Sequence, residues 1–533
     1  MSGRDWRRGA AIYQVYPRSF ADSNGDGVGD LPGITAHLDH VASLGVDAVW
    51  LSPFFTSPMA DFGYDVSDPF DVDPIFGTLA DFDALVARAH ALGLKVVIDQ
   101  VYCHLSDRSA WFRESRSSRS NAKADWFVWA DPKPDGSPPN NWQSVFYGPA
   151  WTWDARRGQY YMHNFLPEQP QLNVHDPAVQ DALCDVARFW LDRGVDGFRL
   201  DALNFMLHDR ALRDNPPATD GKPRTRPFDY QDKLHNQSQP DTPAVIEKLQ
   251  AVVSSYPDRF TVAEIGGDRA LEEMRAYTSG PKRLDTAYSF TFLYADELTP
   301  ALVLDALADW SPGASPGGWP SWAFSNHDAP RAISRWWPDR PTAQTAPLTL
   351  LLLATLRGNI FIWEGEELGL PQGEVPFERL VDPEAIRNWP KTLGRDGART
   401  PMPWRADAPH AGFSPAEPWL PVDPRHAALA VDRQEADPGS TLQAARRILR
   451  FRQASDALRT GDLRPLPAAP GVLAFERGPA DAPLLCVFNL GAAPAAGPAP
   501  DRWRIVLGTP GLAEGDRPPD RLPALAGYVA EPG

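Results

Sequence analysis

Eight short runs rich in β-branched and aromatic residues alternate with helical stretches from the N-terminus to about residue 450, and this alternation leaves few folds open. The runs lie at residues 10–17, 47–53, 95–101, 194–202, 259–266, 286–290, 322–328 and 359–367. Between the second and third, Phe82, Leu85, Val86, Ala89 and Leu92 share one face of a helix that Thr78 and Asp81 would cap. Strand and helix in regular succession imply a parallel sheet covered by helices. The polar residues gather where the runs end: Asp99 and His104 after the third, Arg199 and Asp201 after the fourth, Glu264 after the fifth, His327 and Asp328 after the seventh. In a (β/α)8 barrel those ends form one face, where active sites are built. A doubly wound open sheet fits the alternation alone, but no GxGxxG loop supports it. The expected architecture is therefore an α/β (β/α)8 TIM barrel made of residues 1–102 and 169–457. Residues 103–168, rich in Trp, Pro, Asn and Ser, exceed a simple loop and form a lobe inserted over the active face after strand 3. Short strands at 472–478, 483–490 and 502–508 mark residues 458–533 as a C-terminal antiparallel, β-sandwich-like domain.

Composition narrows the function classes. The net charge of −17 lacks the concentrated positive charge that phosphates require, so neither nucleic acid nor an anionic membrane is an expected partner. No run approaches the about 20 apolar residues of a membrane span, and the N-terminus lacks the apolar core of a signal peptide. Cys103, Cys184 and Cys486 form no pairable pattern. These features place the protein in the cytoplasm, as a monomer or small homo-oligomer. Some of the 19 tryptophans could stack on sugar faces, although core packing accounts for most tryptophans in any protein.

The segment DSNGDGVGDL (22–31) offers side-chain oxygens at Asp22, Asn24, Asp26 and Asp30 and a backbone carbonyl at Val28, with glycines that permit tight turning. This is the front part of a loop for a hard cation, Ca²⁺ or Mg²⁺, with Gly33 where a closing Glu would complete an EF-hand. Its position after the first strand, away from the other carboxylates, points to a structural ion. A turn-rich acidic loop without metal is the competing reading.

Retaining glycoside hydrolysis requires one carboxylate to attack the anomeric carbon and another, about 5 Å away, to protonate the leaving oxygen. Asp201 and Glu264, at the ends of neighbouring strands, can meet that spacing. Arg199 shares a strand face with Asp201 and would keep it ionised. Glu264 would need a raised pKa to act as the acid. His104, His327 and Asp328 could hydrogen-bond sugar hydroxyls. Each of these residues has a structural reading by itself; their joint position at four strand ends favours a site.

The motifs AIYQVYPRSFADSNGDGVGDLPGI (11–34), DFGYD (61–65), DQVYCH (99–104), QPQLN (169–173), GFRLDA (197–202), AEI (263–265), SNHD (325–328), EGEELGL (364–370) and RTPMPW (399–404) span nearly the whole chain. Together they resemble glycoside hydrolase family 13, the α-amylase superfamily, in its α-glucosidase and oligo-1,6-glucosidase branch. The resemblance implies Asp201 as nucleophile, Glu264 as general acid/base and Asp328 as transition-state stabiliser. It implies that Asp61, Tyr64, His104, Arg199, His327 and Arg399 hold the non-reducing glucose, that Phe165 walls it, and that loop 22–30 binds the family's Ca²⁺ or Mg²⁺; no organic cofactor is implied. Cys103, Gln171 and Glu364 depart from the usual Asn, Asp and Gln. In this branch Val after the nucleophile goes with α-1,6 specificity and a smaller residue or Thr with α-1,4, so Ala202 points to maltose-type substrates. The implied activity is an exo-acting α-glucosidase that cleaves short α-1,4-glucosides and transfers glucosyl to hydroxyl acceptors. An α-1,6-glucosidase and a sucrose or trehalose isomerase-transferase remain open on the same scaffold, and a silent transporter subunit is a remote alternative.

Overall fold

A computed structural model describes residues 5–221, 224–267, 269–308, 310, 317–392, 394–498 and 502–533. Its central sheet consists of β1 (Ala11–Val15), β2 (Ala48–Leu51), β3 (Lys95–Val101), β4 (Gly197–Asp201), β5 (Phe260–Ile265), β6 (Thr286–Ser289), β7 (Ser321–Ala323) and β8 (Asn359–Trp363). Every pairing is parallel, β1 lies between β2 and β8, and a parallel bridge from Ala287 to Pro320 joins the two ends of the series. The result is a nearly closed eight-stranded barrel, as the alternation predicts. The capping box at Thr78 and Asp81 opens the helix Leu79–Ala91, whose Phe82, Leu85, Val86 and Ala89 are buried.

Two strands stop earlier than the sequence runs that encode them. Residues 324–328 leave β7 because the Asn326 side chain accepts from the amides of Asp328 and Ala329, which turns the chain. Beyond Trp363 the chain is drawn into a turn by Glu366, which accepts the Trp363 amide at 2.9 Å. His327, Asp328 and Glu364 consequently sit on loops at the barrel mouth.

The period-two alternation of each strand sorts its side chains. Ile12, Ala48, Trp50, Val97, Phe260, Val262, Tyr288 and Phe361 form one apolar cluster, while Tyr13, Val15, Val49, Val96, Ile98, Phe198 and Leu200 join the larger core shared with the helices. Gln14, Asp99, Arg199, Asp201 and Glu264 have the same parity as the first set. They therefore continue the barrel interior above its apolar filling, towards the C-terminal ends of the strands.

Between β3 and the helix Pro177–Asp192, Trp129–Ala130, Gln159–Met162 and Trp151–Asp154 make a small antiparallel sheet. It closes over a separate core that includes Trp142, Trp151 and Met162. After the helix Thr441–Ala454, a five-stranded antiparallel sheet runs in the order Leu463–Pro465, Val472–Arg477, Leu484–Asn489, Ala526–Pro532, Trp503–Gly508. Its alternation is two-sided. Val472, Ala474, Leu485, Val487 and Tyr528 face a local core, whereas Leu473, Phe475, Cys486, Phe488 and Val529 belong to the main core. Arg452 and Arg477 reinforce this junction by donating to main-chain carbonyls, including those of Gly9, Gly358, Leu458 and Gly461. Phe488→Ala should therefore cost about 3–5 kcal/mol, the range for deleting a buried aromatic ring, and chemical denaturation would measure it. A loss below about 1 kcal/mol would show that the sheet is not packed into the main core.

Candidate active site

Arg199 lies at the centre of the barrel mouth, fully buried, and is gripped by acids from three strands. Its Nη1 donates to Asp99 on β3 at 2.8 Å and to Asp201 on β4 at 2.6 Å, and its Nη2 reaches Glu264 on β5 at 2.6 Å. Tyr288 on β6 accepts from the same guanidinium and donates to Glu264 at 3.1 Å. Asp201 and Glu264 thus sit on two arms of one planar group. Burial drives both carboxyl groups upward against the pull of Arg199, and each is pushed up to about 7. The Asp99 carboxyl rises to about 6 for the same reason.

Asp328 has the opposite character. Burial opposes its ionisation, but His327 and the guanidinium groups of Arg395 and Arg399 hold it well below the usual carboxylate range. Arg399 donates to Asp328 Oδ1 at 2.7 Å and to the carbonyl of His327 at 2.7 Å. Arg395 donates to Asp328 at 3.3 Å, to Asp61 at 2.8 Å and to Asp382 at 2.8 Å, with its charge 5.0 Å from the centre of the Phe146 ring. Near neutrality the site therefore sets a permanently ionised carboxylate beside the Asp201–Glu264 pair, whose burial and mutual repulsion let the pair hold one proton readily.

The neighbouring groups are ordered by hydrogen bonds. Tyr64 donates to Asp99 at 3.1 Å, and its ring stacks on His327 with centroids 5.3 Å apart. His104 Nε2 lies 3.0 Å from the Tyr64 carbonyl, and burial lowers this imidazole to about 4. Phe165, from the inserted segment, packs against His104, Phe146 and Phe205. Ala202 adopts left-handed backbone angles with φ 41°, where a β-branched side chain would cost more than alanine. Its amide points at Glu264 Oε2 over 3.4 Å. The three unusual residues lie around these groups. Cys103 Sγ is 3.1 Å from His104 Nδ1, Gln171 donates to the Phe205 carbonyl at 2.8 Å, and Glu364 accepts the Tyr16 amide at 2.8 Å.

A model of the alpha-amylase catalytic domain matches residues 14–461. The chain belongs to the α-amylase family of glycoside hydrolases. This glycoside hydrolase is 53% identical over 496 residues to a probable alpha-glucosidase of Rhizobium meliloti, covering 91% of this chain and 90% of that protein. It is 36% identical over 547 residues to an oligo-1,6-glucosidase of Heyndrickxia coagulans, covering 95% and 96%. Among solved structures, an alpha-glucosyl transfer enzyme, XgtA, superposes with a TM-score of 0.95 at 49% identity over 100% of both chains.

All ten sequence-predicted substrate and catalytic residues of this glycoside hydrolase converge on the barrel mouth. The loop at 22–30 lies apart from them, against residues 413–419. There Asp22 accepts amides from Asn24, Gly25 and Gly27 and the Ser414 hydroxyl, and these bonds outweigh burial and lower its pKa. Asn24 and Asp26 accept the amides of Asp26 and Val28, and Asp30 caps the helix Leu31–Ser43. Among the described residues no group of three His, Cys, Asp or Glu side chains is arranged to hold a metal ion, yet this oxygen-only donor set has the chemistry of a hard-cation ligand. Among the described residues no helix is long and apolar enough to cross a membrane.

Arg395, Asp382, Tyr288, Phe146 and Gln14 escape the strand-end reading. Arg395 and Asp382 come from an irregular stretch after β8, and Tyr288 and Gln14 read as ordinary strand interior. The charge of Arg395 against Asp61, at 334 positions' separation, was the available signal, but spacing cannot show that pairing. Arg395→Leu would strand the buried Asp61 and Asp382 and should cost about 3–5 kcal/mol of stability. Denaturant melts that shift by under about 1 kcal/mol would mean that water reaches those acids.

Proposed function

We propose that this protein is a retaining, exo-acting α-glucosidase that cleaves short α-1,4-glucosides and transfers the glucosyl group to acceptor hydroxyls. The observation that carries this reading is the pair Asp201 and Glu264 on two arms of Arg199. In the first step an Asp201 oxygen bonds to the anomeric carbon while the glycosidic bond breaks and Glu264 gives its proton to the departing oxygen. Glu264 Oε2, whose nearest donor is the Ala202 amide at 3.4 Å, has room to carry that proton. In the second step Glu264 takes a proton from water or an alcohol, whose oxygen bonds to the anomeric carbon and releases Asp201. Asp328, kept ionised by its arginines, accepts hydrogen bonds from sugar hydroxyls, and charge developing on the ring strengthens them. Asp61, Tyr64, His104, Arg199, His327 and Arg399 hold the non-reducing glucose, and Phe165 walls it.

The small Ala202 beside the acid supports an α-1,4 preference, because it leaves room for the second sugar at the pocket rim. The names of the relatives, a glucosidase and a glucosyl transfer enzyme, support both ways of resolving the intermediate. We further propose that Asp22, Asn24, Asp26, the Val28 carbonyl and Asp30 hold a structural Ca²⁺ or Mg²⁺, which would tie the loop after β1 to residues 413–419 and takes no part in the reaction.

Four outcomes test these readings. Purified enzyme should release α-glucose from maltose faster than from isomaltose, and the reverse order would assign it to α-1,6 linkages. Glu264→Gln should lower kcat by about 10²–10⁴-fold while the fold persists, and a value within tenfold of the parent would remove Glu264 as the acid. Because Glu264 must hold the pair's proton while Asp201 is ionised, kcat/KM should decline as pH rises through about 7 and decline again at lower pH as Asp201 is protonated. Chelation with EDTA should lower the Tm reversibly, with Ca²⁺ or Mg²⁺ restoring it; an unmoved Tm would dispose of the structural ion.

A further inference from the structure

His327 is buried at the barrel mouth between two hydrogen-bonding partners, and their chemistry determines which ring nitrogen carries the proton. On one side, Nε2 lies 2.5 Å from the Tyr64 hydroxyl and 3.4 Å from Asp328 Oδ2. Tyr64 lies 3.1 Å from Asp99 Oδ2, and the other oxygen of that carboxylate accepts from Arg199. An ionised carboxylate only accepts, so the phenolic hydrogen goes to Asp99 and the Tyr64 oxygen is left to accept from His327. Nε2 is then the protonated nitrogen. On the other side, Nδ1 lies 2.8 Å from the side-chain amide nitrogen of Gln14, which is also 3.1 Å from Ser52 Oγ. An amide nitrogen only donates, so Nδ1 must be the bare, accepting nitrogen. The two deductions start from opposite ends of the chain of hydrogen bonds and agree.

We propose that Gln14 is a positioning residue that fixes His327 as the neutral Nε2–H tautomer, so that its one N–H is presented to the pocket between Tyr64 and Asp328. β1 is suited to this role. Gln14 is paired in register with Trp50 on β2 and Trp363 on β8, and its side chain is buried in the barrel interior. A glutamate here would offer an acceptor, draw a proton onto Nδ1 and make the ring an imidazolium. A methionine would fill the space and offer no donor.

The groups that face the ring resist that charge. Arg199, Arg395 and Arg399 oppose a second proton, the ring of Tyr16 stacks at 5.9 Å, the rings of Trp50 and Trp363 lie against the remaining sides, and Asp328 favours the cation. Burial is the largest influence, and together these groups lower the imidazole to about 3. The inference that this N–H serves the sugar rests on the glucosidase reading; the tautomer does not.

The test is ¹⁵N NMR of the full-length protein labelled at histidine, with the His327 signals assigned by their loss in His327→Gln. The parent should show a protonated Nε2 and a bare Nδ1 from pH 7 to 8, where Asp99 is ionised. Gln14→Glu should move a proton to Nδ1, and Gln14→Met should lose the single-tautomer signature, with kcat/KM on maltose falling about 10–100-fold and KM rising. A parent spectrum with Nδ1 protonated, or variants that keep the parent signature, would overturn the proposal. If Gln14→Met does not fold, Gln14→Glu, which matches the native side chain in shape, decides alone. A changed tautomer with unchanged kcat/KM would uphold the role of Gln14 and instead remove the His327 donor from the glucosidase reading.

Discussion

A single guanidinium, that of Arg199, is the constraint on which the barrel mouth depends. Three carboxylates from three adjacent strands cannot be buried together without a cation among them; Asp99 and Asp201 share one terminal nitrogen of the planar group and Glu264 takes the other. Lysine could not reproduce that geometry, because a point charge has no pair of arms to hold Asp201 and Glu264 apart at a set distance. The strands supply the rest. Their register fixes where the three acids emerge, and the apolar filling below excludes water, so the same burial that raises Asp201 and Glu264 also strengthens their interaction with Arg199.

The second tier, built on Arg395 and Arg399, is arranged for the opposite result. Two arginines against Asp328 keep it charged where its neighbours readily protonate. This tier comes from loops, and loops can bring together groups that a barrel's radial geometry would keep apart: Arg395 alone touches residues that follow β2, β7 and β8. Rigid strands thus hold Asp201 and Glu264, and irregular chain surrounds them with charge.

The sequence was most legible where chemistry and periodicity coincide. Eight runs of β-rich residues gave eight strands, and polar residues at their ends marked the mouth, because barrel topology sends all strand ends to one face. The strand limits of β7 and β8 were less legible, since Asn326 and Glu366 end them with side-chain bonds to the main chain that composition does not reveal. Gln14 was hidden by its surroundings: one amide within an apolar run reads as tolerated polarity until His327 is found beside it. Arg395 was hidden by distance along the chain. Both omissions concern partners of the named residues, because side-chain pairing depends on three-dimensional proximity and not on pattern.

The bond between Arg395 and Asp61 joins parts of the chain separated by 334 positions, and β1 pairs with β8 at a similar remove. During synthesis from the N-terminus, Asp61 and the first strands are complete long before their partners exist. Until Arg395 emerges, Asp61 has no cation to accompany it into the interior, and β1 presents one unpaired edge. The pocket is therefore among the last features that a growing chain can close, and a fragment ending before residue 395 would contain Asp201, Glu264 and Asp328 without the charges that keep their protonation states distinct.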